Sequence, residues 1–419
     1  MSCKAKSQHL QCSLNTSAIF LDGNVDLCGG VADLKLQPCS GVNPKNRKLP
    51  NKVLKIAVPL GVLGVLCSIF LVLFCALMSR RKSKGQSLTS VPSMEGQFAR
   101  LSYADLLKAT SGFSRNNLIG VGRFGSVYKG SLEDGMAMVA VKVLDLDVRG
   151  ATKTFVAECN ALRWMRHRNL VKIISVCLSL DFQGQDFKAL VYEYKSNGSL
   201  EEWLHHDPIE QREEDRGLTM IQRLNIAIDI ACALEYLHFG TDSVVIHGDL
   251  KPSNILLDDD MTACVGDFGL ATVVLSISKE LLTMESNSSV IKGTIGYIAP
   301  EYGMGEMVST QGDVYSFGIL LLEMFTKIRP TDGAFNGHSS LSSFVSSALP
   351  DSMMDILDPV SVQEKIRVSD VHMAKETLLY ILEIGVACSN KSPRDRLAMT
   401  NVAAELRQIR SGYLAERMS

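Results

Sequence analysis

Eight consecutive residues, His247-Gly248-Asp249-Leu250-Lys251-Pro252-Ser253-Asn254, bring a carboxylate, an ammonium and a carboxamide into one short segment. Asp249 and Asn254 stand five positions apart, and Lys251 follows the Asp by two. At that spacing Asp249 would accept the proton of an acceptor hydroxyl, and Lys251 would steady a transferring phosphoryl group. Asn254 would bind Mg2+ through its side-chain oxygen, and Asp267, in Asp267-Phe268-Gly269, would be the second metal ligand. Mg2+ needs few protein ligands, because phosphates and waters complete its octahedron.

Upstream, Gly120-Val121-Gly122-Arg123-Phe124-Gly125-Ser126-Val127 fits the spacing G-x-G-x-x-G-x-V. Ile119, Gly120, Val121, Gly122, Gly125 and Val127 are therefore candidate nucleotide-binding residues. Glycines let backbone amides approach phosphate oxygens with no Cβ in the way. A dinucleotide-binding loop has a similar pattern, but it requires a helix next and an acidic residue about twenty positions on. The residues that follow here are strand-like and end in Val139-Ala140-Val141-Lys142. Lys142 would pair with the α- and β-phosphates of ATP, and Glu158 would hold it extended. Taken singly, Lys142 is an ordinary surface cation and Glu158 a solvent-facing helix residue. Their place in the series, closed by Ala299-Pro300-Glu301, gives them these roles.

These groups need elements to carry them. Residues 118–142 are Gly-rich, then β-branched with alternating apolar positions, which predicts strands around a tight turn. Residues 152–165 carry Phe155, Cys159, Leu162 and Met165 at helical spacing, and helical patterns dominate later, as in 221–237 and 314–325. Ser102, with Asp105 three residues on, resembles a helix start. A small β-rich part thus precedes a larger α-rich part, with a cleft between two lobes, in an α+β fold. Residues 83–100, rich in Ser, Gly, Gln and Pro, read as a linker.

No charged residue interrupts residues 56–78. As a helix this run is about 34 Å long, enough for a hydrocarbon core of about 30 Å, and predicts a transmembrane helix. Basic residues flank it on both sides, so charge does not orient it. ATP use places the C-terminal part in the cytosol. Cys3, Cys12, Cys28 and Cys39 all precede the run, and disulfides there would suit an oxidising compartment. No signal peptide precedes this segment, so either the span is a signal-anchor or the chain is a truncated form of something longer. A net charge of −2 argues against a nucleic-acid binder.

From Gly120 onward the chain resembles eukaryotic protein kinases. More narrowly, it is similar to plant leucine-rich-repeat receptor-like kinases. Leu101-Ser102-Tyr103-Ala104-Asp105-Leu106, Ala109-Thr110-Ser111-Gly112-Phe113, Gly293-Thr294-Ile295-Gly296-Tyr297 and Asp313-Val314-Tyr315-Ser316-Phe317-Gly318 carry that narrower likeness. The piece from Asn15 to Cys39 looks like the cap that ends such repeat arrays. The resemblance implies five regions. Residues 1–55 form a short extracellular segment with a remnant cap, 56–78 the transmembrane helix, and 79–113 a juxtamembrane segment. Residues 114–411 form a two-lobed kinase domain, and 412–419 a tail. It also implies a single-pass plasma-membrane protein that phosphorylates Ser or Thr of protein substrates, with ATP and Mg2+ and with co-receptor kinases as candidate partners. Tyr192 falls at the gatekeeper position, and Glu193 and Tyr194 would offer hinge backbone groups to adenine. Thr294 would contact Asp249, and Arg396 would pair with Glu301.

Two departures stand out. No leucine-rich-repeat array precedes the cap. Gly248 stands where most of the wider family has Arg, the residue that pairs with a phosphorylated activation segment. Catalytic loops without that Arg resemble those of receptor kinases concerned with immune perception. Immune or developmental signalling is the expected setting. A membrane-tethered pseudokinase scaffold and a non-functional truncated product are the alternatives. Loss of Lys142, Asp249, Asn254 or Asp267 would favour the scaffold, and all four are present.

Overall fold

The computed structural model describes residues 68–70, 101–132, 137–205, 217–274, 293–332, 335, 337–359 and 370–418. Most of the expected membrane span, the cysteine-bearing segment and the 83–100 linker lie outside them; Ser68, Ile69 and Phe70 are helical and exposed. Among the described residues no helix is long and apolar enough to cross a membrane.

Helix α1 (Tyr103–Ala109) starts where the sequence suggests. The Ser102 hydroxyl accepts from the Asp105 N–H at 3.2 Å, and the Asp105 carboxylate accepts from the Ser102 N–H at 2.8 Å. These reciprocal bonds satisfy two amides that a helix start leaves without partners. Five antiparallel strands follow: β1 (Leu118–Gly122), β2 (Gly125–Leu132), β3 (Ala137–Leu144), β4 (Ile173–Leu180) and β5 (Asp186–Glu193), in the order β1-β2-β3-β5-β4. Gly122 pairs with Gly125 across the two-residue turn Arg123-Phe124. A Cβ on Gly125 would lie 2.0 Å from Val143 O, so only glycine closes this turn against β3.

Strand alternation sends the two faces of β3 to different tasks. Val139 and Val141, both fully buried, join Leu106, Phe187, Ala189 and Val191 in a cluster beneath α1. Lys142, one residue out of phase with them, points to the opposite face, over which helix α2 (Ala151–Leu162) lies. The apolar spacing predicts this helix to run on to Met165, but it ends at Leu162. The Arg166 guanidinium donates to Leu162 O at 3.5 Å and Met165 O at 2.8 Å, taking up carbonyls that another helical turn would have used.

The second lobe is helical. Helices α3 (Leu200–Leu204) and α4 (Met220–Phe239) come first, then α5 (Thr310–Thr326), α6 (Leu341–Ala348), α7 (Asp370–Cys388) and α8 (Met399–Met418). Every residue of α5 from Gly312 onward is buried, the signature of a helix in the middle of a core. It packs against α7, while α4 packs against α8.

Two short antiparallel strand pairs set into this lobe hold the chemistry-bearing segments. Strand β6 (Val244–Ile246) pairs with β9 (Thr272–Val274), and β7 (Ile255–Leu257) with β8 (Ala263–Val265). The β6–β7 connection carries His247 to Asn254, and the β8–β9 connection carries Asp267. Ile255 is paired with Val265, so Asn254 and Asp267 emerge at the same end of the β7–β8 hairpin. Leu250 is fully buried between Asp249 and Lys251. Burying it contributes about 1.5–3 kcal/mol and pins the segment that presents its two polar neighbours.

Candidate active site

Lys142 Nζ lies 2.8 Å from Glu158 Oε2 and 2.8 Å from Asp267 Oδ1, so β3, α2 and the β8–β9 connection meet at one ammonium. Burial alone would push this ammonium's pKa down; the two carboxylates reverse the effect and hold it charged. Glu158 is 1 % exposed, and its other oxygen accepts from Tyr192 OH at 2.5 Å. Burial pushes the Glu158 carboxyl up, and Lys142 opposes that shift. Removing Lys142 would therefore leave a buried acid without its counterion.

Asp267 is half-exposed and holds a left-handed backbone, φ 55° and ψ 73°, that non-glycine residues rarely adopt. Its position in the cleft raises its pKa, but attraction to Lys142 and the Lys142 bond prevail, and the net shift is downward. Gly269 allows this turn to sit under α2, since a Cβ there would meet Thr154 Cγ2 at 2.4 Å.

Asp249 sits among three donors. Its Oδ1 accepts from Thr294 Oγ1 at 2.7 Å, and its Oδ2 lies 3.2 Å from Lys251 Nζ. Lys251 Nζ also donates to Thr294 Oγ1 at 2.8 Å, closing a triangle. Asn254 Nδ2 donates to Asp249 O at 2.8 Å, which turns the oxygen end of its carboxamide away from that bond. Fully buried His247 braces the segment from behind. Its Nε2 bonds Gly266 O at 3.0 Å and its Nδ1 accepts from the Asp249 N–H at 3.2 Å, tying the β6–β7 and β8–β9 connections together.

One carboxylate (Asp267) and one carboxamide oxygen (Asn254) form a sparse, all-oxygen donor set. Such a set fits a hard divalent cation that draws its remaining ligands from phosphates and waters. It does not suit a soft or nitrogen-seeking metal.

The glycine loop exposes Ile119 and Val121, at 46 % and 74 %, as an apolar edge on a strand that ends the sheet among the described residues. Gly120, Gly122, Gly125 and Val127 lie on the β1–β2 hairpin, with Val127 opposite Lys142. Glu193 ends β5 and Tyr194 follows it, both with their amides engaged. The Glu193 N–H donates to Lys172 O at 3.0 Å and the Tyr194 N–H to Met138 O at 3.4 Å. Both amides are spoken for, so what these two residues can offer a base is carbonyl oxygen.

One structural residue went unread in the sequence except as part of a motif. Asp313, 1 % exposed near the start of α5, accepts from the His247 N–H at 2.8 Å and the Gly248 N–H at 2.9 Å. It also bonds His238 Nε2 at 3.0 Å. An acid in the first turn of a largely apolar helix was the available signal. Arg396 and Glu301 form a buried two-point pair, at 2.6 and 2.7 Å.

The family model described as protein tyrosine and serine/threonine kinase matches residues 113–406. Among curated proteins, the chain is 45 % identical to an LRR receptor-like serine/threonine-protein kinase of Arabidopsis thaliana, over 95 % of this chain and 40 % of that protein. It is 44 % identical to the LRR receptor-like serine/threonine-protein kinase EFR of the same plant, over 96 % of this chain and 38 % of EFR. Receptor kinase-like protein Xa21 of Oryza sativa subsp. japonica is 42 % identical, over 94 % of this chain and 38 % of Xa21. The chain thus spans about 40 % of the length of these relatives.

Proposed function

The chain belongs to the protein tyrosine and serine/threonine kinase family, and we propose from that premise that it transfers the γ-phosphoryl group of ATP to Ser or Thr hydroxyls of proteins. The observation that carries the reading is the Asp249–Lys251–Thr294 triangle. Asp249 is the group that takes the acceptor hydroxyl's proton as the oxygen attacks phosphorus. Lys251, within reach of the same position, offsets negative charge on the transferring phosphoryl oxygens. The Thr294 hydroxyl orients both. Serine/threonine-protein kinase in the names of relatives supports that acceptor class.

Lys142 is the cation for the α- and β-phosphates, pre-extended by Glu158. Ile119, Gly120, Val121, Gly122, Gly125 and Val127 form the lid over the nucleotide, and the carbonyls of Glu193 and Tyr194 border the base. Asn254 and Asp267 are the residues to hold Mg2+. When bound, such a cation neutralises phosphate charge and aligns the γ-phosphoryl group. The chain's own part is to orient Asp249 and keep Lys142 charged.

Residues 114–411 form the kinase domain in this reading, preceded by a juxtamembrane segment and one membrane-spanning helix over 56–78. The uncharged run and the receptor-like names of relatives support a plasma-membrane protein with its kinase domain in the cytosol. Immune or developmental signalling, with co-receptor kinases as partners, is the setting implied by the resemblance to receptor-like kinases and by Gly248 in the catalytic loop. Incubating the purified full chain with labelled ATP, Mg2+ and Ser- or Thr-containing protein tests the reading. Phosphoserine or phosphothreonine is the expected product, and its absence would favour a scaffold.

A further inference from the structure

Directly past α2, Arg163-Trp164-Met165-Arg166-His167-Arg168 gathers arginines around one tryptophan. Met165 alone of the six is buried. Trp164 is 67 % exposed, and the Arg163 guanidinium lies over its ring at 4.9 Å. The segment is fastened to the second lobe at Tyr236 of α4. The Tyr236 hydroxyl accepts from the Arg166 N–H at 3.2 Å, and the His167 ring stacks on the Tyr236 ring at 5.0 Å.

Beside this contact lies an open groove of about 500 Å3. His167 and Arg168 line it together with Tyr236 and Phe239 of α4 and Arg407 of α8. Phe239, the last residue of α4, is 61 % exposed, and the Arg168 side chain is 76 % exposed. Arg407 donates to Cys232 Sγ at 2.9 Å and lies 3.5 Å from Glu235, so its guanidinium is held at the groove wall.

Charge decides what such a face prefers. Arg163, Arg166, Arg168 and Arg407 are permanently cationic. Burial and the neighbouring Arg168 push the His167 pKa down, so this imidazole adds no charge at neutral pH. Against the arginines stand Glu235 and Asp229. Asp229, 3.9 Å from Arg168, directs its other oxygen inward to the Ala263 N–H at 3.1 Å. The balance is positive, and two exposed aromatic rings accompany it. Guanidinium groups bind phosphate by two-point bonds, and Trp settles where headgroups meet hydrocarbon. An acidic peptide would match the charge but would offer Trp164 and Phe239 no apolar layer. Residues 79–100, which separate the uncharged run from the described domain, span up to about 75 Å when extended. That length lets this face turn to the bilayer.

We propose that the face formed by Trp164, Phe239 and the groove between Arg168 and Arg407 binds anionic phospholipid headgroups and docks the kinase domain on the inner leaflet. Headgroup phosphate or carboxylate oxygens accept from Arg168 and Arg407, while the two aromatic rings enter the top of the acyl layer. The proposal rests on the membrane reading above. None of these residues belongs to the candidate active site.

The test places the full chain in vesicles of phosphatidylcholine brominated near the head of one acyl chain, a short-range quencher of tryptophan. One set of vesicles also contains about one-third phosphatidylserine. The chain has two tryptophans, Trp164 and Trp203, and Trp203 donates to Asn197 O at 2.7 Å. A Trp203→Phe background therefore leaves Trp164 as the reporter. Its emission should be quenched in the vesicles containing phosphatidylserine and little changed in the neutral ones. Each cation at an anionic surface contributes roughly fivefold, so adding Arg168→Gln and Arg407→Gln should lower the docked-to-free ratio roughly 30-fold. Salt at about 0.5 M should release Trp164 in the same way with the protein unaltered. If the arginine variant fails to fold, the salt titration decides. Equal quenching in both vesicles, quenching that survives the arginine substitutions in a folded chain, or quenching insensitive to salt would overturn the proposal. Inorganic phosphate that shifts Trp164 emission in detergent as much as phosphatidylserine does in vesicles would assign the groove to a free anion and also overturn it. A chain that an alkaline carbonate wash strips from the vesicles would mean that the membrane reading itself has failed. A chain that stays in the bilayer with Trp164 unquenched refutes the docking alone.

Discussion

Replacing Gly248 by alanine should destabilise the kinase domain by about 1–2 kcal/mol. Gly248 holds φ +78°, the left-handed region where an L side chain meets its own backbone. A Cβ there would also lie 3.2 Å from Leu270 O, a backbone atom that must move a few tenths of an ångström. The loop has little freedom to relax, because Asp313 grips the N–H groups of both His247 and Gly248. Scanning calorimetry or fluorimetry of the full chain in detergent should give a melting temperature roughly 2–5 °C lower for Gly248→Ala. Folding should remain a single transition. A variant as stable as wild type would refute the reasoning, since it would mean that the left-handed backbone and its clamp do not exist in solution.

Other outcomes follow from the same geometry. Asp267 has a folded-state pKa below its unfolded value of 3.8, so its contribution to stability is present above that pH and lost as pH falls through the folded value. The melting-temperature gap between wild type and Asp267→Asn should therefore narrow between about pH 6 and about pH 3; a constant gap would contradict the ion pair with Lys142. Arg396→Ala leaves Glu301 buried without its fork and should cost roughly 3–5 kcal/mol in urea unfolding. Arg396→Lys should recover only part of this, because an ammonium cannot make the two-point contact. For the membrane proposal, protease added to the cytosolic side of sealed vesicles should digest the kinase domain; protection of that domain would reverse the topology.

The groups proposed to bear the chemistry were legible because each sits in a short local motif whose residue types suit phosphate, metal and proton. The short strand pairs that unite Asn254 and Asp267 were not read, because three-residue strands in a helical lobe leave too little pattern to see. The end of α2 was not legible, because apolar spacing continues to Met165 while the helix ends at Leu162, with the Arg166 side chain reaching back to the Leu162 and Met165 carbonyls. Nor could the sequence reveal that the Glu193 and Tyr194 amides are bonded within the protein, since their acceptors belong to other strands or loops. The bracing role of Asp313, quoted only inside a motif, escaped notice for a related reason. It works through partners more than sixty positions away, which local pattern does not reveal. What sequence reads well is local chemistry; what it misses is the bracing behind it.

The central claim is that Asp249 is the proton acceptor of a phosphoryl transfer to a hydroxyl. The most direct measurement is the rate at which full-length wild type and Asp249→Asn transfer phosphate from ATP to a Ser-containing peptide, in the presence of Mg2+. Circular dichroism and nucleotide affinity serve as folding controls. Asparagine keeps the size and can still accept from Thr294, but it cannot take up the proton. The account predicts a loss on the order of a hundredfold or more with the fold and nucleotide affinity retained. A near-normal rate in Asp249→Asn, with wild type active, would contradict it.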